Sequence, residues 1–170
     1  MWKQSLVAAA LTGLTVAAGA PALADQPTIT TESSGGTIPH PFLGPACDNV
    51  GISINPVITY QSEEKITTFS DENGVIRVAY RGHATGVIVE ESTGKSVDFF
   101  SRLISVEDPA SGEATLVGVR TRYTAPGEGV LLLSAGRTTI TESGIETTVG
   151  RNDRGNPEAF RDVCTYLAST

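Results

Sequence analysis

The sequence predicts an all-β fold: an antiparallel meander of about 8–10 strands forming a small barrel or sandwich, with a short C-terminal helix. Three observations predict it. From Val50 onward, short runs of β-branched and aromatic residues alternate with turn residues, about every ten positions. Within one run, Ile76, Val78 and Tyr80 point one way and Arg77, Ala79 and Arg81 the other, the period-two pattern of a half-buried strand. At the end, Phe160, Val163, Cys164 and Leu167 fall at i, i+3, i+4 and i+7, a single apolar helical stripe.

The elements follow in order. Residues 1–24 read as a signal peptide. Lys3 gives a basic start, Leu6 to Ala18 an apolar run, and Ala22-Leu23-Ala24 the small side chains a signal peptidase admits, with cleavage after Ala24. The run is too short to span a bilayer, and no later stretch is long and apolar enough to do so. Residues 25–46 are rich in Thr, Ser, Gly and Pro, have little to bury, and are expected to form a flexible arm. Residues 47–170 then form a single β domain with its C-terminal helix.

In that domain, Val50 to Ile54, Val57 to Tyr60 and Lys65 to Phe69 read as the first strands. Asp71-Glu72-Asn73-Gly74 is a turn, as are Ser92-Thr93-Gly94 and Asp108-Pro109-Ala110-Ser111-Gly112. The strand starting at Lys95 has Val97 and Phe99 on one face but Phe100, Ile104 and Val106 in the opposite register. A bulge near Ser101 would reconcile its halves. Val130 to Leu133 is apolar on both faces and reads as a doubly buried central strand. Ser143-Gly144 closes a final hairpin. Asn156 caps the terminal helix and Pro157 fits its first turn.

Charge narrows the function. Lys and Arg total 12 against 19 Asp and Glu, a net charge of −7. An acidic surface repels phosphate backbones, so nucleic acid is not an expected partner. Cys47 and Cys164 are the only cysteines. In an exported chain an isolated pair is expected to form one disulfide, tying the helix to the first strand.

No catalytic or metal motif emerges. His40 lies in the Pro-rich arm; His83 lies on a strand without a G-x-S-x-G elbow anywhere in the chain. The acidic pairs, Glu90-Glu91 among them, adjoin turns or strand ends, where carboxylates are usually solvated. Asp71 to Gly74 is too short for a calcium loop, and Gly127-Glu128-Gly129 lacks the third glycine of a dinucleotide loop. The candidate ligand contacts are His83 and Tyr80, near the interior of a closed barrel, and Arg120 and Arg122, which share one strand face and suit an anion. No metal site and no cofactor are expected.

Three segments carry a resemblance: Thr93-Gly94-Lys95-Ser96-Val97; Pro126-Gly127 with Leu131-Leu132-Leu133 and Gly136-Arg137; and Asp162-Val163-Cys164 with Leu167. In them the chain resembles a loose group of secreted, β-rich actinobacterial proteins of unknown function. The resemblance implies an exported, disulfide-linked single domain. It implies no activity and carries over no catalytic residue. The expected function is a non-catalytic binding or interaction module, for a small hydrophobic ligand or an extracellular protein. The alternatives are a β-barrel enzyme acting on a small hydrophobic substrate and a structural or cell-surface-associated protein.

Overall fold

The computed structural model describes residues 26–151 and 156–170; the expected signal peptide lies outside them. The fold is an antiparallel meander in one seven-stranded sheet, ordered as in the sequence. The strands are β1 (Thr28–Pro39), β2 (Val57–Asp71), β3 (Gly74–Glu90), β4 (Lys95–Asp108), β5 (Glu113–Ala125), β6 (Gly129–Ile140) and β7 (Glu146–Arg151). Helix α1 (Leu43–Asp48) lies between β1 and β2. A 3-10 turn (Pro157–Phe160) leads into α2 (Arg161–Ala168) at the C-terminus. The Asn156 side chain accepts a hydrogen bond from the Glu158 N–H at its start.

Two expectations about architecture are corrected. Among the described residues the sheet does not close into a barrel and no second sheet completes a sandwich; β1 and β7 are its edges. There are seven strands because expected short runs merge. Val57 to Tyr60 and Lys65 to Phe69 form one strand, since the polar stretch between them pairs with β1 on one side and β3 on the other.

The segment expected to be a flexible arm is also different. Most of it is edge strand β1, in full register with β2. Every residue of β1 is exposed, so it buries none of the apolar surface that marks a strand in sequence. Ladder bonds hold it, with hydroxyl pairs Ser34–Ser62 at 2.8 Å and Thr37–Thr59 at 2.9 Å. Val50 to Ile54, expected as a strand, forms no ladder. The N–H groups of Val50 and Ile52 instead bond the Cys47 carbonyl at the end of α1.

The core sits on one face and at one end of the sheet. Ile58, Ile88, Val97, Tyr123 and Leu132 form its floor. Leu43 of α1, Val50 and Ile54 of the following loop, and Val163 and Leu167 of α2 lie on top. Each fully buried aliphatic side chain contributes on the order of 1.5–3 kcal/mol. Cys47 and Cys164 are bonded and buried here, so the disulfide joins α2 to α1 rather than to a strand. The helices cover one face only. Leu131 is an extra residue in β6 between the partners of Tyr123 and Thr124, so Val130 falls on the uncovered face and is 54% exposed while Leu132 is fully buried; the expected doubly buried strand is not formed.

Candidate functional site

Beyond the helices, the same face of the sheet carries two adjoining cavities. The larger, of about 580 Å³, is lined by Ser62, Glu64, Tyr80, Leu103, Glu107 and Leu116, among others. The smaller, of about 260 Å³, lies at the start of α1. Its walls are mainly Phe42, Tyr60, Phe99 and Phe160, and its polar groups are His40, Arg120, Thr121 and Tyr123. Tyr60 and Ser62 are successive same-face residues on β2, and Phe99 and Ser101 on β4, so the cavities follow one another along the strands.

His40 is fixed by the turn that joins β1 to α1. Its backbone N–H donates to the Pro56 carbonyl at 2.8 Å. Its Nδ1 accepts from the N–H of Leu43 at 3.0 Å and of Phe42 at 3.3 Å, which satisfies donors at the start of α1. A nitrogen that accepts carries no proton, so the neutral ring is protonated at Nε2. Nε2 lies 3.3 Å from the Tyr123 hydroxyl and donates to it. Burial lowers the His40 pKa to about 4, opposed in part by a backbone hydrogen bond of the residue. The imidazole is therefore neutral at pH 7, and it serves as a structural brace rather than a strong base.

Arg120 enters the site through a bulge. Between Phe100 and Arg102, β4 contributes one residue while β5 contributes two, Arg120 and Thr121; β6 shows the same excess on β5. The bulge expected in β4 near Ser101 is not in that strand, which pairs regularly with β3; the extra residue is Arg120 on β5, opposite Ser101. One inserted residue swaps the faces of a strand. Arg120 therefore turns toward the helix-bearing face, reaches past β6, and donates from Nη1 to Glu146 Oε1 on β7 at 2.8 Å. Its Nε is buried and has no hydrogen-bond partner.

The expected pairing of Arg120 and Arg122 on one face is thereby corrected. Arg122 is exposed on the opposite face, its guanidinium 4.6 Å from the centre of the Phe100 ring. Tyr80 is half-buried and lines the larger cavity. Desolvation first, then the charges of Glu107 and Glu64 and a hydrogen bond to Glu107, push its pKa upward, so its phenol stays protonated. His83 belongs by register to the opposite face, exposed, between Glu63 and Arg102, and contributes to the lining of the larger cavity as well. Tyr80 and His83 thus border one cavity and Arg120 the other, while Arg122 stands apart from both.

His40 and Tyr123 were not singled out as contacts from sequence. His40 takes N–H groups at the start of α1, a role that Ser, Thr, Asp or Asn would signal in sequence and histidine does not. Among the described residues no three His, Cys, Asp or Glu side chains converge as a metal site. No helix of the described residues is long and apolar enough to cross a membrane. No family model, curated protein or solved structure matches the chain.

Proposed function

We propose that this chain is an exported, non-catalytic binding module that holds a small, mainly apolar molecule on the helix-bearing face of its sheet. The observation that carries the reading is the smaller cavity, walled mainly by aromatic and aliphatic side chains with a few polar groups among them, which adjoins a larger one where Tyr80, Leu103 and Leu116 stand among serines and glutamates. Small-molecule sites have that composition. The polar groups support binding over catalysis. His40 is committed to backbone N–H groups and Tyr123, and the Tyr80 phenol is held protonated. A buried disulfide suits an oxidising compartment, which agrees with the signal-like pattern of residues 1–24 and with the resemblance to a secreted group.

Native mass spectrometry of the protein purified from culture medium tests the reading. The expected result is a chain beginning at Asp25 with a fraction carrying a small-molecule adduct. Apolar fragments should then perturb the amide NMR signals of Tyr60, Phe99 and Leu103. A bare mass, combined with no perturbation by any fragment of a broad library, would overturn the binding role. Retention of Met1 inside the cell would overturn export.

A further inference from the structure

We infer that the smaller cavity is a carboxylate site, built to take a monocarboxylic acid with a compact apolar body against the guanidinium of Arg120. The inference rests on the binding-module reading and names its ligand class.

Arg120 is the argument. The bulge that turns it inward leaves its side chain 16% exposed, and only its Nη1 is matched, by Glu146. Nε is fully enclosed and donates to nothing. Folded proteins leave few enclosed donors unmet, and those that persist need an explanation. An acceptor in the cavity that Arg120 lines would supply one once the guanidinium turns its enclosed edge toward it. The guanidinium is a planar fork that meets both oxygens of a carboxylate along one edge.

Charge selects among anions. Arg120 already shares its charge with Glu146, and His40 is neutral and contributes no second cation. A dianionic phosphate would be under-compensated there, whereas a singly charged carboxylate leaves one excess negative charge beside a Glu146 that is 45% exposed to screening water. Shape selects the body. Phe42, Phe99, Phe160 and Ile38 line the cavity, and its 260 Å³ lies just below the range of drug-sized pockets. One aromatic ring or a short branched chain fits that description.

Benzoate and its neutral isostere benzamide are the probes, titrated by NMR into the disulfide-intact secreted chain and into Arg120→Gln, Arg120→Lys and Glu146→Gln variants. Benzoate should shift the Phe99 and Thr121 amides and bind at least about tenfold more tightly than benzamide. Arg120→Gln should abolish that preference. Arg120→Lys keeps a cation without an Nε–H and should also weaken benzoate, while Glu146→Gln should leave benzoate binding intact or stronger. The Glu146 variant keeps the proposal testable if the Arg120 variants fail to fold. Equal binding of benzamide, or benzoate binding that Arg120→Lys and Arg120→Gln leave unchanged, overturns the carboxylate site but not the binding-module reading. Silence from both probes, with apolar fragments still binding near Leu103, does the same. Silence from every compound overturns both.

Discussion

Cys47 and Cys164 are bonded with their Cα atoms 5.5 Å apart, although 117 residues separate them in the chain. Almost the whole sheet lies inside the loop they close. The bond joins α1 to α2, the two short helices that form the lid of the core. Neither helix would be stable alone at six and eight residues. Replacing both cysteines by Ala should lower the unfolding free energy by about 3–5 kcal/mol, because a long loop regains its freedom in the unfolded chain. Denaturant midpoints of the oxidised parent and the double variant measure it. A loss below about 1 kcal/mol would show that core packing holds the helices unaided.

Glu90 makes a second tie between distant segments. It is 4% exposed, and its carboxylate accepts from the Asn55 N–H at 2.8 Å, the Ser92 hydroxyl at 2.6 Å and the Ser92 N–H at 3.3 Å. The loop after α1 is thereby fastened to the β3–β4 turn. Glu90→Gln keeps the shape but presents an NH₂ group to one set of donors. It should destabilise by about 1–3 kcal/mol, read from thermal or urea unfolding. The neighbouring Glu91 is exposed, and Glu91→Gln should change stability by less than about 0.5 kcal/mol.

Sequence distinguishes Glu90 from Glu91 by strand parity alone, and that parity becomes informative only once the face bearing the helices is known. The same limit runs through the fold. Turns were legible because their chemistry is local: Asp71 Oδ1 accepts from the Asn73 N–H, and Asp108 Oδ1 from the Ala110 N–H. The terminal helix was legible because Val163, Cys164 and Leu167 carry its stripe. Edge strand β1 was not, because its order comes from hydrogen bonds to β2 and not from burial. Closure is not legible, because the apolar outward residues of β3 to β6, such as Val87, Ile104 and Val117, resemble barrel lining yet remain exposed on a single layer. In the site, Arg120 was legible as a residue type suited to anions. Its direction was set by a bulge that pairing on both sides of β5 reveals and composition does not.

Gly118 and Gly136 are direct cross-strand partners on β5 and β6, beside that bulge, and Gly150 on β7 continues the row. Their φ angles are +135° and +148°, conformations that side chains rarely adopt. A Cβ on Gly118 would collide with the Arg102 carbonyl oxygen, and one on Gly136 with that of Val149. Gly118→Ala and Gly136→Ala should each destabilise by about 1–3 kcal/mol. The double variant should fall short of additivity, since one local shift relieves both. Gly82 is the control. A Cβ there has only the Glu63 carbonyl oxygen nearby, at 3.9 Å, and Gly82→Ala should be neutral or stabilising by up to about 1 kcal/mol. Equal losses at all three positions would remove the collision argument.

His40 makes stability depend on pH with a determinate sign. Its pKa falls from 6.5 to about 4 on folding, mainly through burial. Between those values the unfolded chain binds the proton and the native chain does not, so stability rises with pH across the interval. The contribution is complete above pH 6.5 and is lost as the pH falls toward 4. Protonation of Nδ1 would also break the bonds from the Leu43 and Phe42 N–H groups, so loss should begin at the start of α1. With allowance for the partial exposure of the ring, the contribution is roughly 1–2 kcal/mol. His40→Asn places an oxygen near the position of Nδ1 and does not titrate there. Carboxylates titrate in both proteins, so the difference between parent and variant isolates His40. Urea unfolding at intervals from pH 4 to 7 should show the parent gaining stability over His40→Asn as the pH rises, with the gain flattening above 6.5. A difference that stays constant across the interval would mean that His40 has the same proton affinity folded and unfolded, and that its ring is not the buried brace between α1 and Tyr123 described above.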